Sequence, residues 1–539
     1  MKQSKTQTTN QAAKQTALAA IQSISMEPTG LVNYESRGRV LIIGDNHALE
    51  IAPRFNERLH AMVILTQGVE EPGVPQIHLG GRQLSIEGFL GDFKVRLSGG
   101  GQHNSETVAA DMILDLTAEP LVESQIKPPG YIHTTLEEAD LQRAIDELSE
   151  LTGHFEKPRF FTYNPDICAH GHAGKTACTR CIDACPADAI KSIGETIEVN
   201  AHLCQGGGAC ATVCPSGAIR YAYPNPRDSL TRLRKLVSEY LVAGGKDPIV
   251  VLVAESDSSA LAMLQDNYLP FLVEELASVG LETWLAALAY GAQAVELLAG
   301  EDLPDRSAEA LREQLCTTDE ILQAMGYESD VVRLIQHDDL CAEGTPSMPA
   351  IKPAGFSGMG GKRQTAYLAV DHLYAEAETT QPMAKLSVGA PFGKVDVDAN
   401  ACTLCFSCVA ACPGKALQCG SEGVPQLLFI EGNCLQCGMC TRTCPEDAIG
   451  ITPRLLFDAE QRRATRKLHE EAPFLCTSCG KPFATRSAID NVLQKLEGHY
   501  MFQNERARRR LTMCDECRVI DIVQDQEVMN GGLDGHFRQ

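Results

Sequence analysis

Apolar residues along this chain keep two rhythms. Runs at 39–44 (RVLIIG) and 61–66 (AMVILT) are continuous and predict buried strands. From 76 to 99 polar and apolar residues alternate between glycine breaks, which predicts antiparallel strands, and 112–116 predicts one more. Residues 134–151 (TTLEEADLQRAIDELSEL) have helical spacing, with Thr134 or Thr135 as N-cap and acids in the first turn. Beyond residue 226 strands and helices alternate. A helix at 228–243, capped by Asp228 or Ser229 and stopped by Gly244-Gly245, precedes a strand at 249–254 (IVVLVA). A helix at 281–290 around Trp284, a strand at 294–298, a helix at 307–325 and a strand at 331–335 follow. Such alternation predicts a parallel sheet. Residues 1–35 are rich in Gln, Thr and Ala and read as a mobile tail with a helix near 12–23. Residues 346–385 read as a Pro-, Gly- and Ser-rich linker around a helix at 364–377.

The remaining stretches follow neither rhythm and are punctuated by cysteine. Between 402 and 444 the run C-x2-C-x2-C-x3-C-P is written twice: Cys402, Cys405, Cys408 and Cys412-Pro413, then Cys434, Cys437, Cys440 and Cys444-Pro445. In two-cluster ferredoxins the first three cysteines of each run hold one [4Fe–4S] cluster and the fourth crosses to the other. The rule groups Cys402, Cys405, Cys408 with Cys444, and Cys434, Cys437, Cys440 with Cys412. A pair of zinc sites also uses C-x2-C spacing, but eight cysteines in this order, each run closed by Cys-Pro, favour iron.

An imperfect copy lies upstream. Cys178, Cys181 and Cys185-Pro186 keep the spacing, but Lys175 stands where the first cysteine belongs, and Cys168 lies beyond a spacer carrying His170 and His172. In its second run Cys204, Cys210 and Cys214-Pro215 are in place and Gly207 stands where the middle cysteine belongs. Crossover groups Cys178, Cys181 and Cys214 with Cys168 as fourth ligand; Cys204, Cys210 and Cys185 form the other set with one corner open. That corner predicts a [3Fe–4S] cluster, or a [4Fe–4S] cluster with water or an outside ligand on one iron; an empty, decayed site is the alternative. The histidines are weaker candidates than Cys168. CPADAI, CPSGAI, CPGKAL and CPEDAI repeat one logic, Cys-Pro, a turn, then apolar residues packing back. Near the C-terminus, Cys476 and Cys479 (CTSC) and Cys514 and Cys517 (CDEC) form two C-x2-C knuckles around a helical spacer at 486–497, a zinc-ribbon pattern. Cys316, Cys341 and Cys419 have no partner at metal spacing and read as bystanders.

Composition narrows the function. At 539 residues the chain exceeds one core, which predicts about three to five domains. Its net charge of −23 disfavours nucleic acid and anionic membrane surfaces, and Arg506, Arg508, Arg509 and Arg510 then read as a docking or solvated face. Of its 22 cysteines, 19 sit in metal-ligand spacings, which predicts a reducing cytoplasm rather than a disulfide framework. No apolar run reaches the ~18 residues of a membrane span, and residues 1–23, without an apolar stretch or cleavage site, are not expected to act as a secretory signal. No Walker loop, nucleophile elbow or glycine fingerprint occurs; RVLIIGDNHALEIAPRF has one glycine after its strand, so it reads as structural.

ICAHGHAGKTACTRCIDACPADAI, LCQGGGACATVCPSGAIRYAYP, GAPFGKV ahead of CTLCFSCVAACP, and CPEDAIGITPRL together resemble a bacterial cytoplasmic multi-cluster ferredoxin of the group encoded alongside molybdenum-dependent formate dehydrogenases. The likeness runs from about residue 155 to the C-terminus, and CTSCGKPFA with MCDECR fits that family's terminal knuckle. The family has cysteine where this chain has Gly207. Residues 249–335 are similar in order to a small iron–sulfur subunit associated with hydrogenases and heterodisulfide reductases, but lack its C-x-x-C, so no cluster is carried over. The expected fold is multidomain α/β and α+β: a tail (1–35), an N-terminal α/β domain (36–155), an imperfect ferredoxin module (156–225), an α/β parallel-sheet domain (226–345), a linker (346–385), a complete ferredoxin module (386–455) and a four-cysteine zinc-ribbon-like module (456–539). The expected cofactors are three [4Fe–4S] clusters, a fourth [3Fe–4S] or incompletely ligated cluster, and Zn2+. The expected role is single-electron relay to or from a cytoplasmic redox enzyme, which the resemblance makes formate dehydrogenase. Two alternatives stand: an enzyme subunit with substrate chemistry at the open iron, and a redox-responsive assembly factor.

Overall fold

The computed structural model describes residues 2–55, 59–69, 72–99, 105–340, 344–358, 361–378, 381–420 and 423–525. Two units are present, one of Met1–Pro165 with Thr179–Thr379, the other of Asp166–Cys178 with Thr380–Gln539.

The first unit opens with a five-stranded, all-parallel sheet in the order Gln76–His78, His60–Leu65, Arg39–Gly44, Met112–Asp115, Tyr131–His133. The central strand shows why its run is unbroken. Val40 and Ile42 pack on one face, with Leu141, Ala144, Ile145 and Leu148 of the helix Glu138–Glu150. Leu41 and Ile43 pack on the other, with Phe93, Val95 and Leu97 of an antiparallel sheet, Gln83–Glu87, Phe93–Ser98, Ser105–Ala110. A strand covered on both sides cannot alternate. The expected antiparallel block at 76–99 therefore divides, its first strand joining the parallel sheet.

A second parallel sheet follows, in the order Tyr268–Val273, Ile249–Ala254, Ala294–Leu298, Val332–Ile335. The strand Tyr268–Val273 escaped the sequence reading because it contains Pro270. It is an edge strand, where proline's missing donor costs no ladder bond. Helix Pro226–Val242 begins two residues before the expected start; Asn225, not Asp228 or Ser229, is the cap, its Oδ1 accepting from the Asp228 amide at 3.0 Å. Thr134 and Thr135 likewise do not cap Glu138–Glu150, whose N-cap is Glu137.

Two segments expected to be loose are built into this unit. Lys2–Gln22 is one helix, with Ala13, Ala17 and Ile21 buried at four-residue spacing. Asn10 clamps the backbone of Lys246, its Oδ1 accepting from the amide at 3.0 Å. Alanine makes up much of what buries, so the composition reads as a tail. Within 346–385, the helix Lys362–Glu376 buries Ala366, Ala369, Val370 and Leu373 and packs on Leu281–Ala289. Cys316 is exposed; Cys341 lies outside the described residues.

In the second unit Gly393–Val397 pairs antiparallel with Ile449–Leu456, and Leu417–Cys419, Gln426–Ile430 and Thr465–Glu470 form a second small sheet. Short helices Ser407–Ala410 and Met439–Thr443 carry Cys408 and Cys440. A hairpin, Pro473–Leu475 with Pro482–Thr485, presents Cys476 and Cys479, and Cys514 stands at the N-cap of Asp515–Val523. Of the arginines nearby, Arg506 and Arg510 pair with Asp521 and Asp525, a local ion-pair network rather than a free basic face. Cys419 ends its strand, exposed.

Candidate metal centres

The sites of the second unit are built by backbone conformation first. In Cys402–Cys408 the residues Leu404 (φ 53°) and Phe406 (φ 58°) are left-handed; in Cys434–Cys440 the matching residues Gln436 (51°) and Gly438 (76°) are too. Left-handed non-glycine residues cost roughly 1–3 kcal/mol each and persist where a site demands them. The alternation curls each loop into a concavity with its amides inward, a shape suited to anionic sulfur. A second device follows each Cys-Pro. Lys415 (51°) and Asp447 (47°) are left-handed, and the turn returns the next amide to the thiol: Ala416 N to Cys412 Sγ at 3.2 Å, Ala448 N to Cys444 Sγ at 3.3 Å.

Two small cavities result. Cys402, Cys405, Cys408 and Cys444 line one, with Leu404, Phe406 and Leu427; Cys412, Cys434, Cys437 and Cys440 line the other, with Val395, Met439 and Ile451. Each cavity takes its fourth cysteine from the other run. Burial, and then the charge of neighbouring thiols, pushes the Cys408 thiol up to about 12 and Cys437 to about 11. Four thiols crowded this way become thiolates together only around a positive centre, so this donor set fits a metal cluster. Gln436 adds a side-chain donor, Nε2 to Cys434 Sγ at 3.3 Å, that motif spacing gave no means of finding.

Cys168 and Cys178 also belong to the second unit. Their nine-residue spacer is a β-hairpin, Gly171–His172 on Lys175–Thr176, turning through Ala173 and Gly174, both left-handed. Cys178 N donates to Ala169 O at 3.2 Å, so the hairpin returns the chain to the neighbourhood of Cys168. His170 is buried with Nδ1 2.8 Å from the Cys178 carbonyl, and so steadies this loop. The hairpin rests on Met439–Thr443, with Lys175 Nζ 2.5 Å from Arg442 O and Arg442 Nη1 2.9 Å from Thr176 O.

Cys181, Cys185, Cys204, Cys210 and Cys214 belong to the first unit. Cys204–Cys210 repeats the alternation at Gly206 (84°) and Gly208 (74°), although Gly207 stands between them instead of cysteine. The Cys-Pro device recurs too, with Asp188 left-handed (48°) and Ala189 N 3.4 Å from Cys185 Sγ. After Cys214-Pro215, Gly217 takes the left-handed place, but Ala218 N bonds Ser216 Oγ instead. Cys210 is raised well above its ordinary value by burial, then by Cys204, Cys185, Cys181 and Cys214, which places these five thiols together. A Cβ at Gly207 would meet only Pro186 Cγ at 3.6 Å and Ile126 Cδ1 at 4.0 Å. The backbone there does not require glycine.

Cys476, Cys479, Cys514 and Cys517 gather with all four Sγ atoms within 4.8 Å of one another. A tetrahedron with metal–sulfur bonds of about 2.3 Å has S···S edges of about 3.8 Å; Cys479 Sγ to Cys514 Sγ is 3.8 Å. Burial pushes the Cys476 thiol up, but the amides of Cys479, Cys514 and Ser478 outweigh it and hold it at about 6. This donor set fits a single tetrahedral ion.

Residues 197–220, which include Cys204, Gly207, Cys210 and Cys214, match the 4Fe-4S binding domain family. The ferredoxin-type protein NapF of Escherichia coli strain K12 is 40% identical over 45 residues, 8% of this chain and 27% of that protein. NapF of Escherichia coli O6:H1 and of O157:H7 match over the same shares. The chain thus spans about a quarter of the length of the curated relatives it matches. These similarities support an iron–sulfur protein of the ferredoxin type. Among the described residues no helix is long and apolar enough to cross a membrane.

Proposed function

We propose that this chain is a polyferredoxin that relays single electrons to or from a cytoplasmic oxidoreductase. The observation that carries the reading is the crossover pairing: Cys402, Cys405, Cys408 and Cys444 about one cavity, Cys412, Cys434, Cys437 and Cys440 about the next. A bound [4Fe–4S] cluster supplies one-electron chemistry without protons or substrate bonds, and hydrogen bonds to its sulfurs set its potential. The chain's part is to fix those sulfurs, donate amides to them and exclude water. Cys185, Cys204 and Cys210 hold a further cluster with one iron short of a protein thiolate; by the crossover of their sequence spacing Cys178, Cys181 and Cys214 form the other set, with the displaced Cys168 as fourth ligand. Zn2+ takes the four-cysteine knuckle as a structural ion.

The partner we propose is formate dehydrogenase, on the resemblance of the cysteine-rich stretches. Anaerobic mixing with that enzyme and formate tests it. Bleaching of the visible iron–sulfur absorbance at catalytic enzyme levels supports the assignment; no bleaching, while dithionite still bleaches, overturns the partner and leaves the wiring. The corner left open by Gly207 carries a second reading, substrate chemistry at one iron; the nearby cavity of about 540 Å³ is not lined by Cys185, Cys204, Gly207 or Cys210. That reading predicts that Gly207→Cys abolishes turnover of the complex; the relay reading predicts near-normal transfer.

A further inference from the structure

Each segment that presents Cys185, Cys204 or Cys210 is held by a cation from outside the cysteine-rich stretch. Lys157, on the strand Gly153–Pro158, donates from Nζ to the carbonyls of His202 and Cys204 at 2.8 and 2.7 Å. Arg306, in the first turn of Asp305–Ala324, donates from Nη1 to the Cys185 carbonyl at 2.8 Å. Lys362, at the start of Lys362–Glu376, donates to the Ala211 carbonyl at 2.8 Å and to that of Thr212.

The three are not equivalent. Arg306 also meets Asp188 at 2.5 Å, and Lys362 lies 3.9 Å from Glu282, so their charges are largely compensated. Lys157 has no carboxylate partner among the described residues. Its ammonium lies 5.1 Å from the centre of the Tyr34 ring, and the Tyr34 hydroxyl donates to the same His202 carbonyl at 2.6 Å. An uncompensated positive charge is therefore fixed beside Cys204, in surroundings that screen it poorly.

Reduction places one more negative charge on a cluster. A fixed cation close by stabilises the reduced form more than the oxidised one, and low dielectric enlarges the difference. The glycine at 207 acts in the same direction, since three thiolates bring less negative charge than four. We propose that Lys157 raises the reduction potential of the cluster held by Cys185, Cys204 and Cys210, so that this site takes an electron before the two sites of Cys402–Cys444. The inference rests on the reading that a cluster is held there.

The test is EPR-monitored redox titration of the full chain, with iron analysis beside it. Cys204→Ser assigns the signal; if that variant loses neither iron nor a signal, the cluster reading itself fails and takes this inference with it. With the signal assigned, Lys157→Met is expected to lower the equilibrium constant for its reduction at least tenfold, which is 59 mV for a one-electron couple. The other signals stay in place, and Lys157→Arg keeps the wild-type midpoint. Should Lys157→Met lose iron, Lys157→Gln serves, because its amide still donates to the carbonyls without charge. An unchanged midpoint in the iron-replete neutral variant, or a midpoint below those of the Cys402–Cys444 sites in the wild type, overturns the proposal.

Discussion

Glu431 is the side chain whose loss the second unit should feel most. It lies in the turn before Cys434, and its own carbonyl accepts the Cys434 amide at 3.0 Å. The side chain is 3% exposed and takes both arms of Arg454, at 2.9 and 2.8 Å, while Arg466 reaches the same carboxylate. One carboxylate thus ties the strand Ile449–Leu456 to the strand Thr465–Glu470 beside the cavity of Cys412, Cys434, Cys437 and Cys440. Glu431→Gln keeps the shape and removes the charge, leaving two guanidinium groups facing each other. Removing one partner of a buried pair costs about 3–5 kcal/mol; Arg466 is partly solvated, so we expect the lower end, about 3 kcal/mol. For a unit of this size that is a fall of roughly 6–12 °C in the unfolding midpoint. Glu470→Gln is the control, because the Glu470–Lys467 pair is exposed on both sides and contributes little. The assay is anaerobic thermal unfolding of the full chain, followed by the visible absorbance of the iron centres and by circular dichroism. A Glu431→Gln midpoint no lower than that of Glu470→Gln would refute the reasoning that Glu431 braces this site.

Gly207→Cys should fold normally, since its Cβ has room and its backbone is not left-handed, and should change the EPR line of one site while leaving the others. Cys514→Ser should remove zinc and lower the stability of the C-terminal knuckle while iron content stays constant; loss of iron in parallel would contradict a separate tetrahedral site. Asp111 accepts from the Arg39 side chain and from the backbone amides of Arg37 and Arg39, and these bonds outweigh its burial to hold its carboxyl below the usual range. A depressed native value stabilises the fold above the ordinary value near 3.9 and loses that stability as pH falls through the depressed value. Asp111→Asn should therefore be less stable than wild type at neutral pH, with the gap closing below about pH 4; a gap constant with pH would exclude this linkage.

What the sequence disclosed was local. The Cys-x2-Cys runs, the Cys-Pro turns and the apolar runs at 39–44 and 249–254 each carry their own signal, because the cause lies within a few residues. The ligand loops are legible even where a ligand is missing. Gly206 and Gly208 supply the left-handed backbone that Leu404 and Phe406 adopt under strain, so the loop around Gly207 keeps its curl. What stayed hidden depends on distant partners. The helix Lys2–Gln22 buries alanines too small to stand out, and Tyr268–Val273 is a strand despite Pro270 because, among the described residues, it lies at the edge of its sheet. Lys157, Arg306 and Lys362 lie in no motif, and the fold alone sets them on the carbonyls of the ligand loops. The spacer of Cys168 read as an interruption; it is a hairpin that closes on itself.

The central claim is that the cysteine-rich stretches carry iron–sulfur clusters and the terminal knuckle a single zinc ion. Metal and acid-labile sulfide analysis of the anaerobically purified chain, with EPR before and after dithionite, tests it most directly. The account predicts about 15 to 16 iron per chain, near-equal sulfide, about one zinc, and reducible cubane signals. Zinc in several equivalents, with iron and sulfide near zero after anaerobic reconstitution and no signal on reduction, would contradict it.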